Sequence, residues 1–302
     1  MTATAAPYGV REVVTGKRRR PHYFTHLFLI LISAIWFFPL GWAVYTSLRP
    51  YGDTGGDPRG YFSIGGHYNF DNFARAWSGA ELPLHFFNTL VVVVPAMIMV
   101  LFLASMVAVA VSRYSFRFNL ILLMLFTAGN LLPQQVVITP LFRLYLALPL
   151  PTWLNEFGIW YDSYFGIIMI HIAFQLGFCT FVLSNYFKQI PKEINEAAVV
   201  DGASVWKTYW SVLLPHSRPA LAALATLEFT WIYNDFFWGI LLLRTGTKFP
   251  VTSALNNLSG QFFTDNNLLA AGSLIVALPT LIVYFALQKH FVAGLTLGST
   301  KG

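Results

Sequence analysis

Charge is scarce in this sequence. Of its 302 residues, 11% are Asp, Glu, Lys or Arg, where a soluble domain carries about 25%. With 56% hydrophobic residues, that deficit excludes an ordinary water-soluble domain. Cysteine is scarcer still. Cys179 stands alone inside an apolar run, so no intrachain disulfide can form, and it reads as a small buried residue. The common catalytic signatures are missing too. There is no Gly-x-x-x-x-Gly-Lys-[Ser/Thr] phosphate loop, so the chain is not expected to hydrolyse ATP itself. There is no His-Glu-x-x-His, the seven histidines do not cluster at ligand spacing, and no Gly-x-Ser-x-Gly turn occurs. No catalytic residue, cofactor or metal is expected.

Long apolar runs are what the sequence has in excess. A bilayer core needs roughly 20 apolar helical residues to cross it. Six stretches meet that length: Leu27–Leu48, Phe86–Val111, Phe118–Phe142, Tyr164–Phe187, Ala220–Leu243 and Leu268–Phe291. The expected fold is therefore all-α, a polytopic membrane protein of six transmembrane helices. Pro133 and Pro140, with Gln134 and Gln135 between them, predict a bend in the third. The first run is longer than a signal-peptide core, and "TSLRPYGD" after it offers no small-x-small cleavage site, so it is expected to stay as a membrane helix.

The positive charges fall unevenly about these spans. Thirteen lie on the side of the two termini: Arg11, Lys17, Arg18, Arg19, Arg20, Arg113, Arg117, Lys188, Lys192, Lys207, Arg218, Lys289 and Lys301. Six lie opposite: Arg49, Arg59, Arg75, Arg143, Arg244 and Lys248. The positive-inside rule puts both termini in the cytoplasm. It also accounts for the basic balance, which leaves nucleic acid without support as a partner. The expected organisation is a basic tail over residues 1–25 and a membrane domain over 26–302. Within that domain a cytoplasmic segment spans 191–217 and a terminal tail spans 292–302.

Residues 193–215, "EINEAAVVDGASVWKTYWSVLLP", interrupt the apolar pattern on the cytoplasmic side. Pro191, Glu193 and Glu196 suit a helix start, Gly202 allows a turn, and Val205, Tyr209, Val212 and Leu213 lie at helical spacing before Pro215 and Pro219. Two short helices about a turn are predicted. By these residues alone the segment is either an amphipathic cap of the bundle or a docking surface.

"EAAVVDGASVWKTYWSVLLP" resembles the cytoplasmic signature of ABC importer permeases, Glu-Ala-Ala, three residues, Gly, nine residues, then Ile-x-Leu-Pro. Glu196, Ala197, Ala198, Gly202, Leu214 and Pro215 fit it, with Val212 in place of Ile. "YNDFFWGILLL", "FPVTSALNNL", "NFDNFARAW", "AVAVSRYSF" and the ending "GLTLGSTKG" are similar to permeases of the maltose type, within them the shorter six-span partner. The resemblance implies carbohydrate import, or transport of another solute such as a polyol phosphate or amino acid. It implies a second permease, two copies of a cytoplasmic ATPase, an external solute-binding protein and surrounding membrane lipid as partners. It also implies that Glu196, Ala197, Ala198, Asp201, Gly202, Leu214 and Pro215 dock into an ATPase cleft, with the Gly298–Gly302 tail reaching toward the same subunits.

Ionisable groups deep in a span are expensive and default to functional candidates. His171 and Gln175 share one helix face, as do Glu228 and Asp235, with Trp231, Tyr233 and Asn234 nearby. These faces either line a solute path or tie helices together. For Glu228 two arrangements are open, pairing with His171 or facing a watery vestibule, and the vestibule is the expectation. Asp235 could instead be solvated near the outer surface. An intramembrane enzyme would need converging reactive groups, and His171 and Glu228 alone qualify by depth.

Overall fold

The computed structural model describes residues 23–54, 60, 62–114, 117–131, 133–258 and 264–296. The Gly298–Gly302 tail and most of the 1–25 tail lie outside them. Among the described residues the secondary structure is helical, with one isolated bridge between Pro149 and Ile159. Residues up to Trp42 form a unit of their own, the first part of α1 (Tyr23–Ser47). Its outward side chains, among them Phe24, Ile30, Trp36 and Phe37, are large, apolar and exposed. That surface suits lipid.

The second unit begins at Ala43. It contains α2 (Asp71–Gly79), α3 (Leu82–Arg113), α4 (Asn119–Leu131), α5 (Ile138–Ala147), α6 (Tyr164–Gln189), α7 (Lys192–Val200), α8 (Arg218–Tyr233), α9 (Phe237–Leu242) and α10 (Asn266–Thr296). α3 and α6 are the central pair, α8 packs on both, and α10 runs along α8 and α2. The spacing of small residues on α3 explains the close pairing. Ala96, Ala104 and Ala108 are fully buried with Val100 in the same four-residue rhythm, a stripe that lets helix backbones approach. Against its lower part lie Ile172, Cys179, Leu183 and Phe187 of α6 and Ala220 and Leu224 of α8. Towards the other end Ile167, Ile170, Ile232, Tyr233 and Trp238 share a second cluster with Leu82, Val92 and Val93.

Four described helices, α1, α3, α6 and residues 266–288 of α10, are long and apolar enough to cross a membrane. The third expected span is bent, as its prolines imply. Ile121–Gly129 and Gln134–Ala147 meet at 90° and would count as a fifth. The expected continuous helix over Ala220–Leu243 is corrected: α8 stops at Tyr233, and after three intervening residues the chain restarts as α9 at Phe237. The break is held by side chains. Asp235 accepts from the N–H groups of Trp238 and Gly239, each at 3.2 Å, and Asn234 turns back to Thr230 O at 2.8 Å. Irregular backbone in lipid requires such internal partners.

At the end of α6 opposite the 191–217 segment, Asp162 fastens the loops. It is 1% exposed and accepts from Arg244 N at 2.8 Å, Thr245 N at 3.0 Å and Thr245 Oγ1 at 2.6 Å. Lys248 Nζ lies 3.4 Å from its carboxylate and also reaches Glu156. Burial pushes the Asp162 carboxyl up, but the Thr245 and Arg244 donors and the Lys248 charge outweigh that and hold it below the usual carboxylate range. A lowered folded value means stability that is present above the ordinary carboxylate range and is lost as pH falls through the folded value. Asp162→Ala should therefore lower stability at neutral pH by about 3 kcal/mol, the usual scale for removing one partner of a buried pair. Thermal unfolding of the detergent-solubilised protein measures it. The difference between variant and wild type should shrink only below about pH 4.

Candidate functional site

The 191–217 segment forms two short helical pieces about a glycine turn, as its residues predict. α7 ends in a C-terminal cap in which Ala203 N–H donates to Ala198 O at 2.9 Å and Gly202 N–H to Val199 O at 3.0 Å. That double bond pattern needs a left-handed residue at the turn, and Gly202 supplies it at φ +74°. Ser204 caps the next helix, accepting from Lys207 N–H at 3.2 Å. The chain then continues through Val205–Thr208, a π-helical turn at Tyr209–Leu213, and Leu214–His216 into α8.

The base of this segment is anchored and its tip is exposed among the described residues. Tyr209 and Leu213 are buried against α3 and α6, and Tyr209 OH lies 2.7 Å from Ser105 Oγ on α3. Arg113, at the end of α3, donates to Phe187 O at 2.7 Å and Ile190 O at 3.0 Å, which fixes the point where α6 hands over to α7. Leu214, Pro215 and Ala198 are half-buried, whereas Glu196, Ala197, Asp201 and Gly202 are exposed. Beside them Val199 and Val200 are 61% and 86% exposed. The tip thus offers an apolar pair flanked by two acids around a turn without side-chain bulk.

The second set of candidates lies where α6 meets α8 and α9. Glu228 is fully buried and does not pair with His171. Its carboxylate accepts from Cys179 Sγ at 3.0 Å and from the Gln175 amide nitrogen, the orientation of that amide that satisfies both sides. The expectation of a vestibule-facing Glu228 is corrected with it, because Gln175 and Cys179 of α6 cover the carboxylate. His171 instead faces Asp235, with Nε2 3.6 Å from Oδ2. Asp235 is not solvated at a surface: its side chain is 12% exposed and caps the helix break.

His171, Gln175, Trp231 and Asp235 line one cavity of about 320 Å³ together with Gln134, Phe174 and Trp238. Asn234 and Glu228 do not line it. Tyr233, an expected aromatic platform, is 2% exposed and donates to Val276 O at 2.8 Å, so it is a packing residue. Phe174 and Trp238 carried no sequence signal beyond being aromatic. Gln134 carried one, as a polar residue between two prolines in an apolar run.

Among the described residues, a helical body with several membrane-length helices, an anchored glycine turn and a polar cavity between helices has the architecture of a membrane transport component. The chain belongs to the binding-protein-dependent transport system inner membrane component family, whose profile matches residues 82–296. It is 30% identical to the diacetylchitobiose uptake system permease protein of Streptomyces coelicolor over 94% of this chain and 90% of that protein. It is 35% identical to the alpha-glucoside transport system permease protein of Rhizobium meliloti over 78% of this chain and 61% of that one. A chain in the crystal structure of a bacterial ABC transporter that imports the acidic polysaccharide alginate shares the fold, with a TM-score of 0.71 at 21% identity, covering 89% of this chain and 95% of that one.

The buried contact between α6 and α8 makes a distinguishable prediction. Gln175→Ala and Glu228→Ala should each destabilise the folded chain, and the double change should cost less than the sum by about 1 kcal/mol, the scale of an interhelical hydrogen bond in a membrane. Glu228→Ala and Asp162→Ala, which share no partner, should add within about 0.5 kcal/mol. Unfolding of the purified variants in detergent reads both cycles.

Proposed function

We propose that this chain is the shorter, six-span permease subunit of an ABC importer that carries a sugar or oligosaccharide into the cytoplasm. The six crossings count the bent pair α4–α5 as one and α8 with α9 as another. The thirteen-to-six distribution of positive charge supports cytoplasmic termini and a cytoplasmic 191–217 segment. A second permease completes the membrane body, two copies of an ATPase bind beneath it, and an external binding protein delivers the solute. The names of the diacetylchitobiose and alpha-glucoside relatives support carbohydrate as the solute class.

The carrying observation is the geometry of the segment: an exposed Val199–Gly202 tip on a base buried against α3 and α6. Exposed valines at a capped turn gain by burial in a partner's cleft, and the buried base passes a push on the tip to the membrane helices. Glu196 and Asp201 would meet basic or polar groups at the rim of that cleft.

Gly202→Asp tests this. A Cβ at Gly202 meets nothing among the described residues, and the left-handed backbone costs about 1–2 kcal/mol, so membrane insertion should persist. Co-purification of the ATPase, or solute uptake in cells expressing the whole transporter, should be lost. Normal uptake with the ATPase bound would contradict the docking assignment.

A further inference from the structure

We propose that the cavity between α6, the Gln134 turn and the α8–α9 break binds one neutral sugar ring of the transported solute, and that it does so by offering two hydrogen-bond acceptors side by side to a pair of adjacent hydroxyls. The proposal rests on the carbohydrate reading above and adds where this subunit touches the solute and which sugars it refuses.

The argument starts from His171. Its side chain is 5% exposed and its Nε2 has no hydrogen-bond partner. The amide end of Gln175 lies 3.5 Å from the other ring nitrogen, Nδ1. Gln175 gives its nitrogen to Glu228, so its oxygen is what faces Nδ1. An oxygen there pairs with the tautomer that carries its proton on Nδ1, and in that tautomer Nε2 is an acceptor. Glu228 thereby acts as a positioning residue: it never reaches the cavity, yet it turns Gln175 and through it sets the histidine tautomer.

Asp235 supplies the second acceptor. Its carboxylate is fixed by the Trp238 and Gly239 N–H groups and lies 3.6 Å from Nε2. No donor from another described residue stands between the two. Each carboxylate oxygen of Asp235 keeps a lone pair beyond its backbone N–H, and two hydroxyls on neighbouring ring carbons bring one O–H to it and one to Nε2. A carboxylate on the ring would bring a third acceptor and a like charge, so acidic sugars are rejected.

The walls suit the apolar face of such a ring. Phe174 and Trp238 pack at 5.4 Å between centroids, and Trp231, 45% exposed, is braced edge-on by Phe178 at 5.1 Å. The volume of about 320 Å³ is at the small end for ligand sites, which suits one ring of a longer solute. Gln134 adds an amide at the rim.

The test uses the whole transporter in lipid nanodiscs with Gln134→Cys as a reporter, since Gln134 lines the cavity and Cys179 is buried. The rate of modification by the neutral reagent hydroxyethyl methanethiosulfonate is measured with glucose, xylose, maltose, cellobiose or diacetylchitobiose, and with glucuronate. At least one neutral sugar should slow labelling, about tenfold at nine-tenths occupancy, and glucuronate should not. Adding Asp235→Asn, which turns an acceptor into a donor, should weaken protection by the neutral sugar and admit glucuronate. Adding Ile98→Ala, on an exposed face of α3 and outside the cavity, should change nothing. Equal protection by glucuronate, or none by any neutral sugar, overturns the site. Uptake of the same sugars by wild-type proteoliposomes with the binding protein separates the two claims: uptake without protection sinks the site alone, and protection without uptake sinks the carbohydrate-import reading alone.

Discussion

A polar group that leaves water for the interior of a membrane protein must find its partner there, and this chain is arranged around that requirement. Glu228 meets it most severely. Its carboxylate, wholly buried between α6 and α8, is held by Cys179 and Gln175. The contact sets the rotation of α8 against α6, and the same rotation brings Asp235 opposite His171 seven residues further on. Small residues on α3 let the third helix close over the pair.

The two candidate regions are joined by the same helices. α6 carries His171, Phe174 and Gln175 at the cavity and ends at Phe187 and Ile190, whose carbonyls Arg113 holds. From His171 to Phe187 is sixteen residues, about 24 Å of helix. α8 begins where the 191–217 segment ends and runs past Glu228 to the break capped by Asp235. In the proposed role, a displacement of the segment would act on both walls of the cavity through these packed helices. A flexible linker at either junction would absorb such a displacement. The buried Tyr209 and Leu213, with the Tyr209–Ser105 contact, show a stiff junction instead.

Much of this was legible in the sequence, for identifiable reasons. Apolar runs announced the membrane helices because length and composition are enough for that, and Pro133 and Pro140 announced the bend. Glu-Ala-Ala with Gly202 announced the turn because the left-handed cap has a strong residue preference. The break after Tyr233 was missed because "YNDFFW" is apolar enough to read as continuous helix, and the capping by Asp235 depends on where its side chain turns. The partners of Glu228 were missed for a related reason. Cys179 had been set aside as packing, and Gln175 had been grouped with His171 on its own helix. Which groups meet across α6 and α8 depends on the rotation of the two helices, which no single run encodes. Helix faces were readable; the contacts between them were not.

The central claim is that the Val199–Gly202 tip is a docking element on a base fixed to the membrane helices. Hydrogen–deuterium exchange on the transporter in nanodiscs, with and without its ATPase, tests it most directly. The account predicts strong slowing of exchange over residues 196–206 on addition of the ATPase, with no change in the Pro149–Tyr161 loop at the far end of α6. Unchanged exchange over 196–206 with the ATPase demonstrably bound would contradict it.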